Sequence, residues 1–320
     1  MSSIVFIHSL SADEQQQWLL RFKQLLPAEQ IFIAEELSDQ QAAEMEIAIV
    51  ANPSVDQLKR FPKLVWLQSL WAGVESVLST FESMDVQAKA SLPKLSRLID
   101  PQLAETMSEA VLAWTLYLHR QMPAYRVQQE KKQWQQLHCP PAQQVTVSVL
   151  GAGELGASAM TRLAANGFNV YGWSRTEKDI PGVRCYSGAQ GLSLMLGQTN
   201  ILICLLPLTK ATEKLVNKSL LSQLPKGARF INFARGGVAD YDQLIELLDE
   251  GHLDHAVLDV FEQEPLQPES VIWQHEKITV LPHISAATNI ETASQIVAKN
   301  ILNYRKDGTL PELVDIQRGY

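Results

Sequence analysis

Three side chains in the C-terminal half are of types that could carry chemistry together. Arg235 lies in Ile231-Asn-Phe-Ala-Arg235-Gly-Gly, Glu264 in Leu258-Asp259-Val-Phe-Glu-Gln-Glu264-Pro, and His283 in Leu281-Pro-His283-Ile-Ser-Ala. Each segment follows an apolar run that reads as a strand. Each side chain therefore stands just beyond a strand's C-terminal end, where ligands bind in open α/β sheets. A guanidinium fork matches a carboxylate. An imidazole can donate a proton near neutral pH, and a neighbouring carboxylate favours its charged form and fixes the ring. Singly, each residue has an ordinary explanation: a surface ion pair for Arg235, a structural role for His283, a turn before Pro265 for Glu264. Their coincidence at three strand ends points to chemistry. His8, His119, His138, His252, His255 and His275 lack such neighbours and read as structural.

A second signal precedes these. The strand-like segment 145–150, Val-Thr-Val-Ser-Val-Leu, leads into Gly151-Ala-Gly153-Glu154-Leu155-Gly156 and then a helical pattern. Strand, glycine fingerprint and helix in that order make a dinucleotide site. Gly151 permits the tight turn, Gly153 leaves room for the pyrophosphate, and Gly156 lets the helix pack close to the sheet. The helix N-terminus offers N–H groups and a positive dipole end to phosphates. An NAD site would carry an acid about 20 residues on, at the end of the second strand. Here Trp173-Ser174-Arg175-Thr176 stands there instead, with a hydroxyl and a guanidinium suited to a 2′-phosphate. The same residues would also serve as an ordinary solvated loop. The reading favours NADP(H), with NAD(H) possible. Trp173 could stack on adenine or be buried under a neighbouring helix.

The elements that must position these groups alternate along the chain. Apolar runs at 4–7, 31–33, 47–50 and 64–68 read as strands, with a helix capped by Ser11 and carrying Trp18, Leu19, Phe22 and Leu25. Six further strands are expected at 145–150, 169–172, 201–205, 228–233, 256–259 and 278–281. A last helix is expected from 285 to 304. Alternating strands and helices imply parallel sheets covered on both faces. Between the two arrays, Asp100-Pro101 reads as a boundary. The stretch 105–120 reads as a helix apolar on much of its circumference, with Met107, Val111, Trp114 and Leu118, fit for a domain or subunit interface.

Bulk properties narrow the classes. A chain of 320 residues suggests two domains. The net charge of −8 disfavours nucleic acid and anionic membrane as partners. Cys139, Cys185 and Cys204 match neither a disulfide framework nor a zinc spacing, so no metal and a reducing cytoplasm are expected. The N-terminal apolar run, with no Lys or Arg before it, reads as a buried strand rather than a signal peptide. No apolar stretch approaches the ~18 residues of a membrane span.

Together these segments strongly resemble the D-isomer-specific 2-hydroxyacid dehydrogenases, and within them the bacterial glyoxylate/hydroxypyruvate reductases of the A type. The resemblance covers nearly the whole chain, from Trp-Ser-Arg-Thr at the cofactor loop to the terminal Arg318-Gly-Tyr. It implies an α/β fold of two doubly wound parallel-sheet domains: a Rossmann cofactor domain at 101–282, and a flavodoxin-like substrate domain joining 1–100 to 283–320. It implies that Arg235 holds the substrate carboxylate and polarises the carbonyl, that His283 is the general acid, and that Glu264 pairs with it. Asp259 would meet the nicotinamide carboxamide. Leu206, Pro207, Ala234 and Ala286 would line the cofactor cleft, with Thr212 a further contact.

In the N-terminal half, Ser69-Leu70-Trp71-Ala72-Gly73-Val74-Glu75 resembles the family loop whose backbone N–H groups bind the substrate carboxylate. The family commonly has a small residue at the position of Trp71 and Asp at that of Glu75. Close relatives often carry Trp-x-Pro where this chain has Ala51-Asn52-Pro53. These departures leave the substrate open, and leave Trp71 either pocket wall or core. The resemblance implies a homodimer that reduces glyoxylate or hydroxypyruvate. The alternatives are a bulkier 2-keto acid, an erythronate- or phosphoglycerate-type dehydrogenase and, from another class, a dinucleotide-sensing corepressor.

Overall fold

The computed structural model describes residues 2–84 and 92–320. Contacts divide the chain into two compact units, Met1–Gln102 with Thr288–Tyr320, and Leu103–Ala287.

The first unit is built on five parallel strands: β1 (Ser2–His8), β2 (Glu29–Ile33), β3 (Ile47–Ala51), β4 (Trp66–Ser69) and β5 (Lys94–Ser96). Their order is β2-β1-β3-β4-β5, the flavodoxin-like arrangement. Every residue of β3 is buried, as a strand covered on both faces requires. On one face Phe6, Trp18, Phe22 and Trp66 pack with Val297 and Ile301 of the C-terminal helix Ile290–Asp307; on the other Val5, Leu67 and Phe81 pack together. The helix Ala12–Leu25 starts as its sequence predicts: Ser11 accepts from the Glu14 N–H, and Glu14 returns the bond to the Ser11 N–H at 2.9 Å. Asp100 accepts both the Gln102 N–H (2.9 Å) and the Thr292 hydroxyl (2.6 Å), tying together the two places where the chain leaves and re-enters this unit.

The second unit holds seven parallel strands in the order β12-β11-β10-β9-β6-β7-β8. They are β6 (Thr146–Leu150), β7 (Asn169–Ser174), β8 (Arg184–Ser187), β9 (Ile201–Cys204), β10 (Ala228–Asn232), β11 (Leu253–Leu258) and β12 (Ile278–Val280). The order reverses at β6, with β7 on one side and β9 on the other, and this is the topological switch point of a Rossmann sheet. The sequence reading missed β5 and β8. Both are edge strands of three or four residues, each opening on a basic residue, so neither shows an apolar run. The last helix begins at Ile290, capped by Asn289, because residues after Pro282 first form the turn that carries His283. Among the described residues no helix is long and apolar enough to cross a membrane.

Candidate active site

The glycine fingerprint sits between β6 and the helix Glu154–Ala165. Gly151 adopts φ +107°, and a Cβ there would lie 2.7 Å from the Leu205 carbonyl oxygen. A Cβ on Gly156 would lie 1.9 Å from the Gly151 carbonyl oxygen, so the helix can start this close to the turn only with glycine. Gly153 is different: a Cβ there would meet nothing within 4 Å. It caps the helix without a side-chain bond, leaving the first-turn N–H groups of Glu154, Leu155 and Gly156 for an external acceptor. Open space over uncapped N–H groups fits a dinucleotide pyrophosphate.

At the end of β7, Trp173 is buried in the core and its indole N–H donates to the Gly188 carbonyl (2.9 Å). Of the two roles open to it, burial is the outcome. Ser174 donates its hydroxyl proton to the Thr176 carbonyl (2.6 Å), which closes the loop on itself and presents the exposed Arg175 at its tip. Thr212 likewise turns inward. Its hydroxyl donates to the Pro207 carbonyl (2.6 Å) and accepts from the Thr209 N–H (2.8 Å), shaping the Leu206-Pro207 loop.

Glu264 and His283, 19 residues apart, meet: Nδ1 of His283 lies 2.7 Å from Oε2 of Glu264. The other carboxylate oxygen accepts the Phe261 N–H at 2.8 Å. A carboxylate only accepts, so Nδ1 carries the proton and Nε2 is left to face a reactant. His283 adopts φ +54°, uncommon for a residue with a side chain. Three bonds hold it there. The His283 N–H donates to the Asp259 carbonyl (2.9 Å), and the Asp259 carboxylate accepts the N–H groups of Ile284 (2.7 Å) and Ser285 (2.9 Å). Asp259, 1% exposed, thus builds the turn that presents the histidine, a task beyond the nicotinamide contact expected of it.

Arg235 follows β10 in extended backbone, and one guanidinium nitrogen donates to the Ala234 carbonyl (2.7 Å). Its neighbour Gly236 lies against the next loop: a Cβ there would be 2.0 Å from the Phe261 carbonyl carbon and 2.3 Å from the Glu262 nitrogen. Backbone cannot swing aside as a side-chain end can. Gly236→Ala should therefore cost at least the about 1–3 kcal/mol of core overpacking, read as a lowered denaturation midpoint. An unchanged midpoint would show that the two loops are free to separate.

The loop of the first unit needs correction. Leu70 and Trp71 cannot give their N–H groups to a substrate carboxylate. The Leu70 N–H donates to the Val50 carbonyl (2.9 Å), extending the β3–β4 ladder, and the Trp71 N–H to the Ser69 hydroxyl (3.0 Å). The Trp71 ring, only partly buried, packs edge-on against Trp18, centroids 6.3 Å apart, at the border of the core. The N–H groups of Ala72 and Gly73 make no hydrogen bond to a described residue and remain candidate donors.

Residues 112–285 match the family model described as D-isomer specific 2-hydroxyacid dehydrogenase, NAD binding domain. The chain belongs to that family. It is accordingly an oxidoreductase. A D-isomer specific 2-hydroxyacid dehydrogenase from Xanthobacter autotrophicus Py2, solved with NADPH and MES, is 34% identical, with a TM-score of 0.90 over 100% of this chain and 99% of that one. An NADPH-dependent glyoxylate/hydroxypyruvate reductase from Sinorhizobium meliloti, solved with NADP and sulfate, is 33% identical, with a TM-score of 0.89 over 100% of both chains. A probable 2-hydroxyacid dehydrogenase from Rhizobium etli CFN 42, solved with NADP, HEPES and L(+)-tartaric acid, is 29% identical with a TM-score of 0.89.

Sequence reasoning passed over Tyr241 and gave no role to Asn232. The hydrogen bonds of both depend on which loops the sheet brings side by side, and no local pattern signals that.

Proposed function

We propose that this dehydrogenase reduces a small 2-keto acid of the glyoxylate or hydroxypyruvate kind, with NADPH as its reductant. The observation that carries the reading is the His283–Glu264 pair, 2.7 Å apart, in the same unit as the fingerprint and Arg235. The relatives solved with NADPH or NADP support the cofactor. Gly151, Gly153 and Gly156 hold the pyrophosphate, and Arg175 takes the 2′-phosphate. Bound there, the reduced nicotinamide supplies a hydride to the keto carbon. Arg235 binds the substrate carboxylate through its fork and draws charge toward the keto oxygen. His283 gives the Nε2 proton to that oxygen as it becomes a hydroxyl, and Glu264 stabilises the ring before the transfer. Asp259 keeps the ring at the height its backbone sets. Ala72 and Gly73 are the remaining N–H donors for a carboxylate from the substrate loop.

The test is kcat/KM for a panel of 2-keto acids with NADPH and with NADH. Arg175→Ala should lose NADPH efficiency and hardly change NADH efficiency. A charge-assisted contact corresponds to roughly 10- to 150-fold, and exposure puts the expected loss in the lower half of that range. Equal loss with both cofactors would make Arg175 a loop support. A wild-type preference for NADH would remove the cofactor reading, and absence of turnover across the panel the substrate reading.

We further propose a homodimer. The helix Pro101–His119 buries Met107, Val111 and Leu118 in its own unit, but Trp114 and Tyr117 are only partly covered and Leu116 is 38% exposed. The helix that follows, Met122–Glu130, buries none of its residues fully, and Trp134 beyond it is 99% exposed. One continuous stretch of chain thus leaves large apolar side chains uncovered, as a self-complementary interface would. Sedimentation should give a dimer at micromolar concentration, with Trp134 fluorescence blue-shifted relative to a dissociated sample. A monomer would overturn this.

A further inference from the structure

Arg235, Glu264 and His283 stand on three loops, and catalysis by the reading above requires them in register to a fraction of an ångström. Within the second unit, a chain of hydrogen bonds links the loops beneath the reacting groups. It begins at Asn232, the last residue of β10, which is 0% exposed. Its Oδ1 accepts the Ala234 N–H (3.1 Å), and its Nδ2 donates to the Arg235 carbonyl (3.2 Å) and to the Tyr241 hydroxyl (2.9 Å). Tyr241 opens the helix Tyr241–Asp249, and its hydroxyl donates in turn to the Val260 carbonyl (2.7 Å). The Val260 carbonyl and the Phe261 N–H belong to one peptide group. That same N–H donates to Glu264 (2.8 Å), whose other oxygen holds His283 (2.7 Å).

From Tyr241 to Glu264 the bonds run head to tail, and His283 donates to the same carboxylate from the opposite side. Tyr241 pulls electron density from the Val260 oxygen, which makes the Phe261 N–H a stronger donor, and Glu264 is its acceptor. Bonds arranged head to tail across a peptide group polarise one another in this way. The desolvated position of the phenol raises its pKa, chiefly by burial, so the group remains a neutral donor through the working pH range. Apart from this polar end, Tyr241 packs edge-on against Phe261 (centroids 5.9 Å).

We infer that Tyr241 is a positioning residue for the reaction. Through Asn232 it fixes the Arg235 loop, and through the Val260–Phe261 peptide it orients Glu264 and tunes how strongly that carboxylate accepts from His283. The inference rests on the proposed reaction for its catalytic consequence, but the coupling itself has a readout that needs no turnover.

That readout is the downfield proton resonance of His283 Nδ1–H, assigned by its loss in His283→Asn. In Tyr241→Phe it should move downfield, because a weaker Phe261 N–H leaves Glu264 a stronger acceptor for His283, and kcat/KM for the best 2-keto acid should fall about 3- to 10-fold, the range of one hydrogen bond. In the Glu264→Gln background the further effect of Tyr241→Phe on turnover should shrink to what passes through Asn232 to the Arg235 loop, because the other path acts in series with Glu264. Should Tyr241→Phe not fold, site-specific 3-fluorotyrosine at position 241 keeps the shape and strengthens the donor, and the resonance should move upfield. A resonance unmoved in the folded variants, or additive effects in the cycle, would overturn the inference and leave Tyr241 as packing. A moved resonance in an enzyme that reduces no 2-keto acid would uphold the coupling and reject the proposed reaction.

Discussion

Replacing His283 with alanine should lower kcat for 2-keto acid reduction by about 10²–10⁴-fold, the usual contribution of a placed general acid. Dinucleotide affinity should stay close to wild type, because the fingerprint glycines and Arg175 lie on other loops. The ring is held at Nδ1 by Glu264 at 2.7 Å, its backbone is held at φ +54° by Asp259, and its side chain is still half exposed. A structural histidine in this chain looks different. His255 is buried, its Nε2 lies 2.9 Å from the Thr279 hydroxyl, and burial pushes its pKa down to about 4, so it is neutral at any working pH. Steady-state and single-turnover rates of His283→Ala decide the matter: a variant keeping more than about a third of wild-type kcat would exclude the acid role.

Arg235→Lys should be nearly as damaging despite the retained charge. We expect kcat/KM to fall about 10²-fold, the upper part of what loss of a bidentate charge-assisted contact and of its alignment can remove. One guanidinium nitrogen already donates to the Ala234 carbonyl (2.7 Å), which sets the plane of the fork. A lysine ammonium is a point donor without that plane, so it cannot satisfy the carbonyl and grip a carboxylate edge at once. Near-normal kcat/KM in Arg235→Lys would reduce Arg235 to a structural cation. Saturation curves with glyoxylate and hydroxypyruvate should show the loss in both kcat and KM.

What the amino-acid sequence determined by itself is whatever repeats or closes within a short window. The apolar runs of β1, β3 and β9 show because those strands are buried on both faces, and burial favours apolar residues in succession. Ser11 announces its helix because a capping box spans only four residues. The fingerprint is legible because each glycine answers a local demand: a positive φ at Gly151, a 1.9 Å approach at Gly156, open space at Gly153. The candidate residues Arg235, Glu264 and His283 were legible for the same reason, each riding on its own strand end.

Only the tertiary structure decided the rest, because it depends on which strands become neighbours. The edge strands β5 and β8 owe their existence to a partner strand rather than to their own three or four residues. Leu70 looked like a substrate donor until β3 took its N–H. Trp173 had two possible neighbours, and the Gly188 carbonyl settled which. Asp259 meets residues 25 and 26 positions away, and Tyr241 meets Val260 because β11 lies beside β10 in the sheet. A hydrogen bond has a reach of about 3 Å, and no periodicity in a linear chain tells which distant carbonyl will come within it.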